Sequence, residues 1–388
     1  MSKTVKILLY LIAVFLSQEI LFRFLFPLPE ISNLQRSNYM PQIFDATAVE
    51  TVPYEKRSWA SYPDTLHDFI HHMNGYGFRD DEWLIQKSPG KKRILMVGDS
   101  FVEGAMVNQE STIPAVIERL MGEDEVEVMN AGIIGIGMEE YAKLITDLTP
   151  VFKPDQVILV VYANDISGRP FNNPEFGLDV SVLNWFEPRL YTLIVRLSEN
   201  QALHNRQQKV KPFIPKQATA WIKNEPFIRS RVTEMIANFM HAGKFNVYRT
   251  NWVLIEEANL KKPFRIKAHL TYLNDYVSSF GSKLVVVYVP SRHQVSTYYY
   301  QFERDMCRLE CPPELDMTSD EYQVPRLLLK QDCSTLGIPF IDTYYQIRTM
   351  EQQGTHVYWN YDDHMRKVGY ELVARTIVED LVDNPISE

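Results

Sequence analysis

The sequence has 388 residues, 45% of them hydrophobic, 12% aromatic and 23% charged, with a formal net charge of −9 and a pI of about 5.6. That is a globular composition with room for one large domain or two modest ones. No basic stretch is interleaved with aromatics, which argues against a nucleic-acid partner, and there is no internal repeat or low-complexity tract.

The first element is apolar. Lys3 and Lys6 precede the run Ile7 to Ser17, then Gln18 and Glu19, then a second apolar run from Ile20 to Pro29. As a helix, residues 5 to 28 would span about 36 Å, enough for a bilayer with some tilt. Glu19 and Arg23 lie four apart on one helix face and can pair or snorkel at an interface. A cleaved signal peptide is the alternative, but no small-x-small site follows the apolar core and hydrophobicity resumes after Glu19. Residues 1–29 are therefore expected to be an uncleaved membrane anchor. The lysines place the N-terminus in the cytoplasm and the remainder outside the cytoplasmic membrane. Of the three cysteines, Cys307, Cys311 and Cys333, an oxidising compartment would leave one disulfide and one free thiol.

Residues 30–90, rich in Pro, Asn, Ser and aromatics, read as an extended lead-in along the surface. Strand-like and helix-like patterns then alternate. RILMV (93–97) is a buried strand, and the following TIPAVIERLMGE is a helix with Ile113, Val116, Ile117 and Leu120 on one face. VEVMN (126–130) is a second strand and EEYAKLITDL (139–148) a second helix. QVILVVYAND (156–165) is a third strand. HLTYLNDYVSSFG reads as a helix before a fourth strand, KLVVVYVP (283–290). IPFID (338–342) is a shorter fifth strand, and KVGYELVARTIVEDLV a closing helix. Strands alternating with helices predict βαβ units and a mostly parallel sheet covered on both faces. The continuous apolar runs ILMV, VILVV and LVVVYV are what strands buried on both sides require.

Over a hundred residues separate the third strand from the fourth, where a crossover needs a dozen or two. Residues 166–270 hold Trp185, Trp221 and Trp252, many basic residues, and helical stretches such as YTLIVRLSEN and RSRVTEMIANFM. They are expected to form an inserted helical cap. It follows the carboxyl end of a strand, where open α/β sheets place their ligands, so it should wall the site.

Four polar blocks fall at that same edge. Gly98-Asp99-Ser100 follows the first strand, NAGIIGIG (130–137) the second, and YAND (162–165) ends the third. NYDDHMRKVGYELVA (360–374) precedes the closing helix. Alone, a GDS is a turn, an ND a cap and an Asp-x-His a surface pattern. Together, in this order on one sheet, they resemble the SGNH/GDSL hydrolase family, as a membrane-anchored bacterial member akin to its O-acetyl esterases and transferases. GDSFVEG resembles the first block, with the nucleophile at Ser100. NAGIIG resembles the second, with its oxyanion glycine at Gly135. AND resembles the third, with the asparagine at Asn164, and DDHMRKVGYELVA the last, with the base at His364. NGYGFRDDEW (74–83) also looks like the segment before GDS in membrane-anchored members. The likeness covers roughly residues 74–165 and 283–380 and leaves the cap uncovered.

Two departures matter. Ala163 stands where glycine is common, and Tyr361 stands where the usual Asp-x-x-His has its acid. Asp362-x-His364 matches a variant spacing found in some members, acetyl transferases included, and makes Asp362 the orienting acid, with Asp363 the alternative. The resemblance implies a flavodoxin-like three-layer αβα sandwich on a five-stranded parallel sheet, spanning residues 91–388 with the cap inserted.

The chemistry implied is acyl transfer without metal or organic cofactor. A serine hydroxyl needs a base to take its proton, and His364 can accept it and return it to the leaving alcohol. A carboxylate on the other ring nitrogen fixes the tautomer. The oxyanion would meet the backbone N–H of Ser100, the backbone N–H of Gly135 and the side-chain amide of Asn164. His67, His71 and His72 read as surface histidines, and Asp99 and Asp165 as local loop partners. Arg292 and His293 follow the fourth strand and face either substrate or solvent. Tyr298, Tyr299 and Tyr300 read as packing residues.

The expected function is a serine esterase or O-acyltransferase acting on acyl, chiefly acetyl, esters of an extracytoplasmic polysaccharide. Its partners would be an acylated carbohydrate, the bacterial inner membrane and envelope polysaccharide machinery. A lipid-type ester hydrolase, or a catalytically idle polysaccharide-binding or assembly subunit, are the alternatives.

Overall fold

The five apolar runs all become strands of one sheet. The structure is a computed structural model that describes residues 3–25, 54–59, 67–72, 74–166, 245–307, 311–359 and 363–383. We number its strands β3 (Lys92–Gly98), β4 (Val126–Gly132), β5 (Gln156–Tyr162), β6 (Lys283–Val289) and β7 (Phe340–Asp342). All neighbours are parallel, in the order β4-β3-β5-β6-β7. The chain steps from β3 outward to β4, then crosses back to β5 on the other side. That reversal opens a crevice at the carboxyl ends of β3 and β5, where doubly wound sheets take their ligands.

Alternation along each strand feeds two separate cores. Leu95, Val97, Val157, Leu159, Leu284 and Val286 face one. Ile94, Met96, Ile158, Val160, Val285 and Val287 face the other. On the first face lie α4 (Met138–Phe152), α6 (Lys267–Ser279) and α9 (Val324–Leu336). On the second lie α3 (Ile113–Met121), α8 (Thr297–Cys307), α10 (Tyr344–Gln352) and α11 (Lys367–Asp383), with α11 packed on α3. This is a three-layer αβα arrangement, as expected. Helix starts follow local chemistry: the Thr112 hydroxyl caps α3 by accepting from the Ala115 N–H, and Pro114 fills a first-turn position where no N–H is needed.

Several expectations need correction. The apolar N-terminus forms α1 (Lys3–Leu25), yet among the described residues no helix is long and apolar enough to cross a membrane. The lead-in is more ordered than an extended strap. It holds an antiparallel pair, β1 (Tyr54–Trp59) with β2 (His67–His72). Past residue 74 it enters the core: Phe78 stacks on Trp83 with ring centroids 4.7 Å apart, and Trp83 meets Phe152 edge-on. Cys311 and Cys333 are both free, so the anticipated disulfide does not form. Cys333 is buried on α9, and burial pushes its thiol up to about 12. Tyr299 and Tyr300 are buried packing residues, as expected.

Most of the stretch read as a cap, 167–244 with Trp185 and Trp221, lies outside the described residues. Its end is α5 (Phe245–Leu260), which turns Val253 and Leu260 into the first core. Trp252 is half-buried.

Asp80 is one of the carboxylates that tie the lead-in to the sheet. Asp80 Oδ2 accepts from Trp83 Nε1 at 2.7 Å and from the Asn130 N–H at 2.8 Å. Burial, with Glu118 nearby, pushes its carboxyl up to about 7 against those hydrogen bonds. An unfolded aspartate titrates near ~3.9. The folded state therefore holds the proton over roughly pH 4–7, and stability falls as pH rises through that window. Asp80→Asn keeps an acceptor for both donors and has no charge to bury. In urea melts its stability relative to the unsubstituted chain should improve from pH 5 to pH 8. An identical difference at both pH values would contradict this account.

Candidate active site

Two glycines let the nucleophile loop reach the sheet. β3 ends at Gly98, whose absent Cβ would lie 2.4 Å from Val102 Cγ2. β4 ends at its register partner Gly132, where a Cβ would lie 2.1 Å from the Glu103 backbone nitrogen. The short helix α2 (Ser100–Glu103) is thereby seated directly on the strand ends. Asp99 caps it, its Oδ1 accepting from the Phe101 N–H at 2.9 Å, and Gly104, at φ +82°, turns the chain out. Tyr162, at the end of β5, stacks on Phe101 at 4.2 Å.

Across 264 residues of sequence, His364 meets this turn. Its Nε2 lies 2.6 Å from Ser100 Oγ. The imidazole also lies against the Phe101 ring, 5.5 Å between centroids. The histidine loop is closed on itself: the Trp359 N–H donates to the His364 carbonyl at 3.0 Å, and Tyr358 pairs with Met365. Tyr370, from α11, donates its hydroxyl to the Ala105 carbonyl at 2.9 Å and so ties this end of the chain to the nucleophile loop. Ser100 is only 6% exposed, whereas Gly135 and Asn164 are open to solvent.

Those two residues follow β4 and β5, at the carboxyl edge of the sheet. Gly135 lies in the loop after β4 at φ +77°, a conformation a residue with a Cβ adopts only under strain. The Ile133 N–H donates to the Gly98 carbonyl at 3.1 Å, and the Ile134 N–H to Glu103 Oε2 at 2.8 Å. The glycine loop is thus fastened to the nucleophile turn at two successive amides. Asn164 follows β5, next to β3 in the sheet. Asp165 beside it accepts from the Tyr162 N–H at 2.8 Å and the Tyr141 hydroxyl at 3.0 Å, a local loop role as expected.

The electrostatics set the two aspartates apart from ordinary ones. Burial pushes Asp99 up to about 6; its hydrogen bond from Phe101 and the nearby His364 pull the other way, and Glu103 adds to the rise. Asp165 is raised well above the carboxylate range by burial and then by the charge of Asp99.

Asp362, the expected orienting acid, lies outside the described residues. Asp363, the alternative orienting acid, has its Oδ1 in an ion pair with Arg292 Nε at 3.0 Å. Arg292 and His293, read as facing substrate or solvent, are fully buried. Both belong to α7 (Arg292–Val295), just past β6. Burial alone would lower the His293 pKa, but Glu256 and Glu303 on its two ring nitrogens raise it to about 9. The sequence signal for this cluster was only a charged SRHQ run at the active edge. For Glu103 it was a lone acid in the apolar FVEGAM. Among the described residues no group of three potential ligands is placed to hold a metal ion.

No family model matches the sequence, and neither does any curated protein. Solved structures do show likeness. A lipolytic protein of the G-D-S-L family from Veillonella parvula shares 13% identity, covering 75% of this chain and 98% of that one, at a TM-score of 0.37. A lipase/acylhydrolase from Enterococcus faecalis shares 16% over 75% and 95%, also at 0.37. An acetyl xylan esterase, AlAXEase, shares 10% over 74% and 99%, at 0.38. Likeness at these TM-scores does not settle activity, which is argued from the residues themselves.

The tie between Glu103 and the glycine loop is directly measurable. In Glu103→Ala the Ile134 amide loses its acceptor, and its hydrogen exchange should speed up at least tenfold, while Glu103→Gln, which keeps an acceptor oxygen, should stay near the original rate. Equal exchange in all three proteins would show that Glu103 does not hold the loop.

Proposed function

We propose that the chain is a serine-dependent ester hydrolase or O-acyltransferase working through an acyl-enzyme. The observation that carries this reading is the 2.6 Å contact between His364 Nε2 and Ser100 Oγ at the carboxyl edge of a parallel sheet. A hydroxyl in hydrogen-bond reach of an imidazole is the arrangement that makes serine a nucleophile.

In this reading Ser100 Oγ attacks the ester carbonyl as its proton passes to His364 Nε2. The carbonyl π pair moves onto oxygen. The first-turn N–H of Ser100, which has no partner within a helix, the Gly135 N–H and the Asn164 amide are the donors assigned to that oxyanion, each worth about a hundred- to a thousandfold in rate. Collapse breaks the bond to the leaving alkoxide, and His364 gives it the proton. The acyl group leaves Ser100 by the same steps in reverse, with water or a second alcohol as acceptor. Hydrolysis and transfer therefore use one set of residues and differ only in which acceptor reaches the acyl-enzyme. Asp362 is assigned to orient His364, since Asp363 is already committed to Arg292.

The substrate class proposed is an acetylated carbohydrate outside the cytoplasmic membrane, with attachment through α1. That helix exposes Ile7, Tyr10, Phe15, Leu16, Ile20 and Leu21, which lipid would cover. A phosphatase fused after residue 40 should be active and a cytoplasmic reporter at the same point silent; the opposite pattern removes this placement.

Turnover of a small activated acetyl ester, with mass spectrometry of the protein after a serine-directed phosphonate, tests the chemistry. The unsubstituted chain should gain one adduct, at Ser100. Ser100→Ala and His364→Ala should each abolish turnover, and the double variant should lose almost nothing further, because the two act as a unit. Asp362→Asn should lower turnover by orders of magnitude with little change in melting temperature. Activity surviving in Ser100→Ala would end the proposal.

A further inference from the structure

The feature left unused is a buried ionic cluster behind the histidine loop. Arg292, on α7, is 0% exposed, as is Glu303 on α8. The guanidinium has three separate engagements. Nη2 pairs with Glu303 Oε1. Nη1 donates to the Trp359 carbonyl at 2.8 Å. Nε lies 3.0 Å from Asp363 Oδ1, an ion pair held by charge and not a hydrogen bond. Two of the three lie on the loop that carries His364, one at its entry and one at the residue just before the histidine.

We propose that Arg292 is the positioning residue for His364. It would fix both sides of the 359–363 loop at once, so that the imidazole is delivered to Ser100 at hydrogen-bond distance. The proposal rests on the esterase reading of that pair. The argument is geometric. A planar guanidinium can present donors along two of its edges while its third nitrogen is held by another acid. Here Glu303 fixes the guanidinium from the protein side, Nη1 donates to the Trp359 carbonyl, and the charge holds the Asp363 carboxylate beside it. Glu303 is fixed in turn by His293 Nε2 at 3.2 Å, whose Nδ1 reaches Glu256 on α5 at 2.8 Å. The loop is therefore moored through α7 and α8 to α5, the helix that leads out of the long insertion.

A lysine cannot replace this arrangement. An ammonium is a point charge on a flexible stem with no fork, so it can neutralise Glu303 or Asp363 without spanning to the Trp359 carbonyl in fixed geometry. Burial still demands charge balance, and Lys keeps it. Arg292→Lys therefore separates the positioning role from the loss of a buried cation. Since the groups that contact the ester are untouched, the effect should fall on turnover and not on substrate binding.

The experiment compares the unsubstituted chain with Arg292→Lys, Asp363→Asn and the double variant. Turnover of a small acetyl ester is normalised to active sites counted by phosphonate labelling, and Ser100→Ala serves as the blank. For Arg292→Lys we expect kcat per labelled site to fall at least tenfold with KM within about twofold. Asp363→Asn should fall less, because the Trp359 contact survives. The double variant should be no slower than Arg292→Lys by more than about twofold, because both changes cut the same connection. A kcat per site within twofold of the unsubstituted value in Arg292→Lys overturns the proposal and leaves the esterase reading standing. If Arg292→Lys does not fold, Asp363→Asn decides: a fall in kcat at constant KM supports the proposal, and no fall overturns it. If the unsubstituted chain shows no turnover above the Ser100→Ala blank, the esterase reading itself fails and the proposal goes with it.

Discussion

The site depends on how closely a four-residue helix can approach a sheet. Only the capping Asp99 separates α2 from β3, and the α2 backbone lies directly against the end of β4. A Cβ on Gly132 would overlap the Glu103 backbone nitrogen, and one on Gly98 would overlap the Val102 side chain. Neither obstacle is a flexible tip that could swing aside: the first is backbone, the second a branched side chain fully buried in the core. The two glycines therefore fix the height of Ser100 above the sheet. From that height follow the reach of Glu103 to the glycine loop and the meeting of Ser100 with His364.

Around this seat the molecule uses three buried arginines in one way. Arg93, at the amino end of the sheet, pairs with Glu127 and donates to the carbonyls of Leu84, Ile85 and Phe152. Arg79 donates to the carbonyls of Glu103, Gly104 and Val107, the far side of the nucleophile turn. Arg292 holds the histidine loop. Each gathers irregular backbone whose carbonyls would otherwise be buried without donors, a penalty of about 1–3 kcal/mol apiece. Loops that carry chemistry cannot satisfy their own backbone as helices and strands do. A guanidinium, with five donors in a fixed plane, satisfies several carbonyls from one position.

The sheet was legible in the sequence because parallel strands buried on both faces must be continuous apolar runs, and RILMV, QVILVV and KLVVVYV are such runs. β7, three residues long, was the weakest signal and proved the shortest strand. The helices between 292 and 352 were not read. TYYYQFERDMC mixes aromatics with charge, and its buried face emerges only once Tyr299 and Glu303 have partners. Ser100 and His364 were found as motif residues, since no local pattern links positions 264 apart. The full burial of Arg292 was not legible for a physical reason. A charged residue is exposed by default, and only a three-dimensional neighbour of opposite sign makes burial tolerable.

The separation of serine from histidine also sets an order of events during synthesis. β3, β4 and β5 and the nucleophile turn lie within residues 92–162. They can pair while the chain is still attached to the ribosome. The histidine loop is made 264 residues after Ser100, about 15–50 s later at roughly 5–20 residues per second. It is held in place by α11, which packs on α3, and by the Tyr370 hydroxyl on the nucleophile loop. Until those residues emerge, the serine has no base beside it and is an ordinary alcohol. In the proposed reading the nascent polypeptide is thus chemically silent, and the reactive hydroxyl appears only when the two distant parts of the translated chain have docked.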